Sequence, residues 1–369
     1  MATIKDVAKL AGVSYQAVSA VLNGNLSKAA PLTRERIFLA AAKLNYRPNR
    51  SARSLVSGRS GMVGIVIQDI RSPYFADLTW ELQSAADRAG FQTIQMQSDW
   101  TDARTCESIF QLYSTPVDGI IFIGGVPHKM MEQTKIPADY PLIQIDDAEN
   151  GYNSIGFDYL PGMDEAFRDL LEHGHRRIAF VHDPIQQIKY AAYRECCRKH
   201  SVPFREFRYL SPTAGGEDAV ISCGHAVAAA AKELDAIIVA SDYDALLVLR
   251  ALADRNIRIP QDLSMIAIDD TLLSRIGTPP LSSIHLDRRL LAQKAFERLL
   301  ARIAKRPDPD GHQMISTALV RRASVIPHVP GPENHPEAPL NQAIGPAAGH
   351  VSIFSEYANV RKGDGMINS

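Results

Sequence analysis

From Met62 onward the chain alternates two kinds of segment, and this alternation restricts its fold more than any other feature. GIVI (64–67), TIQM (93–96), GIIFI (119–123), LIQI (142–145), IAFV (178–181), AIIVA (236–240) and SMIAI (264–268) are short, apolar, β-branched runs. Amphipathic stretches such as Tyr74–Ala89, Tyr159–His173 and Asp242–Arg255 follow most of them. Strand–helix–strand repetition makes parallel sheets, so the class is α/β. The segment is too long for one comfortable sheet and shows no internal sequence repeat, so two Rossmann-like parallel-sheet subdomains are expected. Ligands in such folds sit outside the carboxyl ends of the strands, here in a cleft between subdomains.

Residues just past the strands are therefore the candidates for a ligand site. Tyr74 and Phe75 come after the first run, Lys189 after 178–181, Ser241 and Asp242 after 236–240, and Asp269 with Asp270 after 264–268. A carboxylate and a cation around a cleft grip hydroxyls through charge-assisted bonds, while an aromatic face covers the apolar side of a sugar or stacks on a base. An Asp after a strand also serves as a cap or turn residue. Lys189 and Ser241 fit solvated surface as well as contact.

The front of the chain is built differently. In TIKDVAKLAGVSYQAVSAVLNG (3–24), Thr3 and Asp6 fit an N-cap with a capping-box acid, and Ile4, Val7, Ala8 and Ala11 share one helix face. Gly12 breaks that helix. Ser14 caps a second, in which Ala17, Val18, Val21 and Leu22 form the inward stripe and Tyr15, Gln16, Ser19 and Ala20 face outward. A third helix, from Thr33 to about Leu44, closes a small core with Ile37, Ala40, Ala41 and Leu44. Two helices about a tight Gly turn form a helix-turn-helix, whose second helix enters the major groove. Tyr15, Gln16, Ser19 and Ala20, with Thr3, Ser14 and Asn23 beside them, are then candidates for DNA contact. A plain helical hairpin shares this pattern. Further on, Asn49 can cap a short helix in which Arg50 and Arg53 are cationic and Ala52 with Leu55 make one narrow apolar edge. Such a helix is marginal alone in water.

Charge separates front from body. Residues 1–60 carry ten Lys and Arg against two acids, and the remainder 30 against 39, so the overall balance of −1 is a sum of opposites. A basic head on an acidic body suits a polyanion-binding module joined to a separate domain. At 46% hydrophobic and 22% charged the chain reads as an ordinary globular protein. It has no apolar run of membrane-spanning length, and its start lacks the build of a signal peptide, which places it in the cytoplasm. Cys196 and Cys197 are neighbours, while Cys106 and Cys223 stand alone without metal-ligand spacing, so reduced thiols are expected.

Enzyme classes find no site. No G-x-G-x-x-G opens the first helix, no G-x-x-x-x-G-K-[ST] occurs, and no nucleophile elbow is recognisable. No catalytic residue, metal or cofactor is expected. His173-Gly174-His175 could ligate a metal, but a helix end with a Gly cap is the simpler account. Beyond Pro327 the sequence is rich in Pro, Gly and Asn and carries no Leu heptad, so a flexible tail over 327–369 is expected.

TIKDVAKLAGVSYQAVSAVLNG, followed by TRERI, LNYRPNRSARSLVSGRS and GMVGIVIQDIRSPYFADL, resembles the lactose-repressor (LacI/GalR) family of bacterial transcription regulators, and the similarity continues to about residue 326. The resemblance implies a helix-turn-helix head (1–47), a hinge helix and linker (48–60), and a core (61–326) like the periplasmic sugar-binding proteins. That core would dimerise, bind a small sugar-like effector and cross between subdomains near 157, 285 and 315. Operator DNA is the implied partner, with repression as the implied role. The hinge would fold on DNA, where Leu55 wedges into the minor groove and Ala52 lets two hinge helices pack closely. Positions matching Asp269, Lys189 and Ser241 usually hold Asp, Arg and Asn in contact with effector. Here the Asp is kept and the other two differ. Ala20 stands where the family most often has Arg, and NLSKAAPL is one residue longer than usual. A sugar-binding module without a DNA role is the rival reading, and the basic head argues against it.

Overall fold

The computed structural model describes residues 2–22, 24–46, 59–124, 132, 134–146, 154–210, 216–307 and 311–328. Most of the expected hinge, and the expected tail from 329 on, lie outside these residues. Among the described residues no helix is long and apolar enough to cross a membrane.

At the front, α1 (Ile4–Ala11), α2 (Tyr15–Leu22) and α3 (Pro31–Lys43) close over Val7, Ala8, Ala11, Val18, Val21, Ile37, Ala40 and Ala41. Helix α1 opens on a reciprocal box. The Thr3 N–H and hydroxyl both donate to Asp6 Oδ2 at 2.8 Å, and the Asp6 N–H donates back to Thr3 Oγ1 at 3.4 Å. The helix ends at Gly12, whose φ of +63° favours glycine and whose missing Cβ leaves room for the Arg36 guanidinium. Arg36 donates to the Ala11 carbonyl at 2.5 Å and so ties α3 to the end of α1. Helix α3 begins at Pro31, earlier than the Thr33 expected from the sequence, because proline at the first helical position lacks only an N–H that has no partner there anyway.

The rest of the described chain forms two six-stranded sheets. The first contains β1 (Met62–Ile67), β2 (Gln92–Gln97), β3 (Ile120–Ile123), β4 (Leu142–Ile145), β5 (Ser154–Asp158) and β11 (His312–Ser316), in the order β11-β5-β4-β3-β1-β2, and is wholly parallel. The second contains β6 (Ile178–His182), β7 (Glu206–Arg208), β8 (Ala236–Val239), β9 (Ser264–Asp269), β10 (Ser282–His285) and β12 (Ala318–Val320). Its order is β12-β10-β9-β8-β6-β7, parallel except for β12 against β10. Connecting helices are α4 (Pro73–Arg88), α5 (Asp102–Tyr113), α6 (Tyr159–Glu172), α7 (Gln187–His200), α8 (Glu217–Ala229), α9 (Asp242–Ala253), α10 (Leu272–Ile276) and α11 (Arg288–Ile303). Helix α6 ends at His173, and Gly174 follows at φ +87°.

The chain passes between the sheets from β5 into α6, from β10 into α11, and from β11 into β12. Thr317, between the last two strands, binds the first passage: its hydroxyl donates to the Asp158 carbonyl at 2.8 Å and accepts the Gly162 N–H at 3.1 Å. Gly162 can have no side chain here, since a Cβ would lie 2.6 Å from Ile284 Cγ2 and 2.7 Å from Thr317 Oγ1.

Asp242, a candidate ligand contact by its place after a strand, faces inward instead. It has no exposed surface. Its Oδ2 accepts the Thr271 N–H at 2.5 Å and hydroxyl at 3.0 Å, and its Oδ1 accepts the Ser283 hydroxyl at 2.7 Å, so it joins α9 to β10 and the segment after β9. Burial, and after it the charge of Asp269, pushes its carboxyl up to about 7.

Two stability predictions follow from these braces. Gly162→Ala should cost about 1–3 kcal/mol in urea denaturation, because the added methyl meets β10 and the Thr317 passage together. A carboxyl raised from the ordinary range to about 7 contributes stability that is present at low pH and lost as pH rises through neutrality. Asp242→Asn, which keeps an acceptor for Thr271 and removes the charge, should therefore flatten the fall in melting temperature between pH 5.5 and 8. An unchanged pH slope would show that Asp242 does not carry it.

Candidate effector cleft and DNA-reading face

The first sheet supplies one wall of the cleft. Strand β4 runs into Asp146, whose φ is +68°, and the first turn of α4 brings the Tyr74 hydroxyl to donate to Asp146 Oδ2 at 2.8 Å. Asp146 Oδ1 is buried and has no hydrogen-bond partner among the described residues. Burial pushes this carboxyl up to about 6, against the opposing pull of Tyr74 and the Lys189 charge. Phe75 is only 6% exposed and meets the rings of Tyr74 and Trp100 edge-on, at 5.1 and 5.2 Å. It supports Tyr74 from within the core.

The second sheet supplies the facing wall. Lys189, in the first turn of α7, donates to Asp269 Oδ1 and to the Ala240 carbonyl, both at 2.8 Å, and lies 5.6 Å from the centre of the Tyr159 ring. Burial raises the Asp269 carboxyl and Lys189 opposes it. Asp269 and Asp270 have φ values of +109° and +50°, a backbone region that side chains rarely adopt twice in succession. Arg288 holds that turn. Its guanidinium donates to the carbonyls of Asp269 and Asp270, and it lies 3.7 Å from Asp77 on α4. One side chain thereby links the two walls. The Asp270 carboxyl turns to His285 at 2.9 Å and Arg322 at 2.5 Å; although burial opposes them, they hold it at about 2.

Ser241, expected to contact ligand, caps α9. Its Oγ accepts the Asp244 N–H at 3.0 Å and donates to Asp244 Oδ2 at 2.7 Å, an oxygen that also receives the Tyr209 hydroxyl at 2.6 Å. The carboxylate at this position of the wall is Asp244, raised by burial against those two hydroxyls.

The cleft thus brings together Tyr74, Lys189 and Asp269 of the residues expected from sequence, with Phe75 behind them, and leaves Ser241 and Asp242 to structural bonds. Asp146, Tyr159, Asp244 and Arg288 were not anticipated. Asp146 follows LIQI as Asp269 follows SMIAI, so the strand-end rule already pointed to it. Tyr159 and Arg288 stand at passages between sheets, which local pattern does not reveal. Chemically the site is rich in acceptors, with one ammonium already paired and two phenol rings. It suits a ligand that offers hydroxyl donors and an apolar face.

On the head, Tyr15 is 49% exposed, Gln16 is exposed, and Ser19 and Ala20 are half-buried. The Thr3 hydroxyl is engaged in its capping box, and the Ser14 Oγ accepts the Ala17 N–H at 3.2 Å, so both act first as caps. Asn23, Arg50, Ala52 and Leu55 lie outside the described residues.

Comparison with known proteins agrees with both halves. Residues 3–49 match the family of bacterial regulatory proteins of the lacI type, and residues 167–325 match a periplasmic binding protein-like domain. Catabolite control protein A of Priestia megaterium is 31% identical over 289 residues, covering 76% of this chain and 86% of its own length. The ribose operon repressor of Bacillus subtilis is 31% identical over 311 residues, covering 83% and 93%. The crystal structure of a lac repressor dimer bound to operator and the anti-inducer ONPF superposes with a TM-score of 0.77 at 26% identity, covering 88% of this chain and 99% of that one. With a helix-turn-helix ahead of two parallel sheets, and relatives of this identity matched over most of their length, the chain belongs to the lacI family of bacterial regulatory proteins.

Proposed function

We propose that this chain is a repressor that binds operator DNA as a homodimer in the cytoplasm, and that a small hydroxyl-rich ligand, a carbohydrate or related metabolite, sets its grip from the cleft. The observation that carries this reading is the pair of facing acid sites, Tyr74–Asp146 on one wall and Lys189–Asp269 on the other, in a chain that also bears a helix-turn-helix. A ligand whose hydroxyls donate to Asp146 and Asp269 together favours one separation of the walls over others. Differential affinity of this kind is what a two-state equilibrium needs in order to respond.

On DNA, Tyr15 and Gln16 reach base edges from the first turn of α2, with Ser19 and Ala20 one turn further along. Thr3 and Ser14, at the opening of their helices, lie beside backbone N–H groups that favour phosphate. Asn23 flanks the reading helix, Arg50 neutralises phosphate, and Leu55 wedges into the minor groove between hinge helices that approach at Ala52. With Ala20 in place of a long cation, the operator sequence differs from those read through arginine at that position. The lac repressor structure above is that of a dimer on operator with a ligand, which supports the same assembly here.

Selection of bound sequences from random duplex should recover a two-fold symmetric site with half-site centres about 10 bp apart, and affinity should fall steeply with salt. A selected pool without symmetry, or binding indifferent to salt, would refute the reading. A thermal-shift panel of neutral sugars, amino sugars, sugar acids and nucleobases then identifies the effector, since a ligand of the native state raises the melting temperature. Asp269→Asn keeps a residue that tolerates positive φ and removes the charge. It should leave operator affinity without effector nearly unchanged and abolish the effector's shift, about 5- to 150-fold in the wild type. A variant that keeps the full shift in fluorescence anisotropy would remove Asp269 from the site.

A further inference from the structure

Asp118 lies at the opposite end of the first sheet from the cleft, just ahead of β3. Its Oδ1 accepts the Ser60 N–H at 2.7 Å and the Ser60 hydroxyl at 3.0 Å, and its Oδ2 accepts the Gly61 N–H at 2.8 Å. Both oxygens of one carboxylate are thus directed at two consecutive residues, the last of the linker before β1. Its own N–H donates to the Met62 carbonyl at 2.7 Å, and the Ser60 Oγ accepts the Met62 N–H at 3.1 Å. Gly61 turns the chain at φ +69°, and its carbonyl accepts the Gln92 N–H at 2.9 Å. Arg59 adds a second anchor, its guanidinium donating to the Ile303 carbonyl at 3.4 Å.

The sheet does not require these bonds. Strand pairing of β1 starts at Met62, and Gly61 adds only its carbonyl to Gln92, whereas the Asp118 carboxylate takes the N–H groups of residues 60 and 61, where the linker joins the strand. We propose that Asp118 is a positioning residue that fixes the direction in which the linker leaves the core, and hence the spacing at which two heads meet two half-sites. The proposal rests on the repressor reading above. It differs from a plain turn cap in what it transmits. Asp118 precedes β3, which pairs between β1 and β4, and β4 runs into Asp146 in the cleft wall. The sheet that forms that wall is therefore also the body that holds the linker, and a change in its attitude moves the linker exit with it.

The test uses the full chain and the symmetric duplex selected with wild-type protein, beside the same duplex with one half-site scrambled. Two heads held at a matching separation bind the complete site much more tightly than the half-site, because the second contact is intramolecular. Asp118→Asn leaves one acceptor and turns an NH₂ group toward a backbone donor. It should reduce the complete-to-half-site ratio about tenfold while half-site affinity and its salt slope stay as in wild type. Ser60→Ala removes the hydroxyl bond to Asp118 together with the Met62 N–H bond to the same oxygen, keeps both backbone N–H bonds to the carboxylate, and should give a smaller loss in the same ratio; it decides the matter if Asp118→Asn does not fold. Hydrogen exchange at residues 60–62 reads the clamp without DNA, and protection there should fall in Asp118→Asn while that of β3 and β4 persists. Unchanged exchange at 60–62, or an unchanged ratio in folded variants, overturns the proposal. Wild-type protein that selects no symmetric duplex overturns the repressor reading instead, and the exchange result still decides the clamp.

Discussion

Neither sheet is complete until the chain has passed between them for the last time. The edge strand of the first sheet, β11, and that of the second, β12, are consecutive in sequence and separated only by Thr317, whose hydroxyl binds the earliest passage at Asp158 and Gly162. The hydrophobic core follows the same connectivity. One continuous cluster runs from Ile65 and Ile145 in the first sheet through Phe167 and Phe296 on the passage helices to Phe180 and Ile268 in the second. Burial therefore couples the two halves, and pairings so distant in sequence make folding slow relative to a helical domain of similar size. The same topology gives the cleft its position, because strands on both sides end facing the place where the chain changes sheets.

Within that frame, identical carboxyl groups diverge according to their partners. Asp235 is buried, which alone would raise it, but Arg177 donates to it at 2.7 and 3.0 Å and two backbone N–H groups at 2.8 Å, and its carboxyl falls below the ordinary range. Asp270 behaves similarly between His285 and Arg322. Asp146, Asp244 and Asp269 in the cleft have hydroxyls or a single ammonium for partners, and burial raises all three. Asp235 and Asp270 are stabilised as anions, whereas the cleft acids, like the bracing Asp242, are desolvated without full compensation. A ligand that donates to them relieves a cost already present in the free protein, and perturbed groups tend to mark a binding site for this reason.

How much of this was legible in sequence depended on whether local pattern or long-range pairing decides an element. Central strands such as β3 and β8 are buried throughout and read as unbroken apolar runs, and β4, equally buried, departs from that only at Gln144. Strands β5, β7, β10, β11 and β12 did not show. SIGFD is interrupted by glycine, β7 and β12 have three residues each, and HQMIS lies at an edge with most side chains exposed. SSIH is buried, yet its serine hydroxyls are bonded, Ser283 donating to Asp242 and Ser282 accepting the Arg322 N–H. The site divides in the same way. Asp269, Lys189 and Tyr74 came from the strand-end rule, and Asp146 was within its reach. Ser241 and Asp242 obeyed the rule in position but not in chemistry, since the N-terminus of α9 claims the Ser241 oxygen and Thr271 and Ser283 claim those of Asp242. The head was legible because its helices are governed by local signals, apart from the start of α3, where proline geometry carries the helix back from the expected Thr33 to Pro31.

Arg288 shows how the walls and the passages belong to one mechanism. It occupies the first turn of α11, directly after the second passage, and its guanidinium lies between Asp77 on one wall and the strained carbonyls of Asp269 and Asp270 on the other. Any rotation of one sheet against the other must alter those contacts. A left-handed turn at two successive non-glycine residues persists only when its surroundings hold it, so the Asp269 carboxylate is presented to the cleft by the same guanidinium that bridges the walls. On the proposed effector reading, ligand geometry and wall angle are therefore not independent variables. A ligand that moves Asp269 also loads Arg288, and through α11, which packs against α4 and the first sheet, the load reaches the body from which the linker departs.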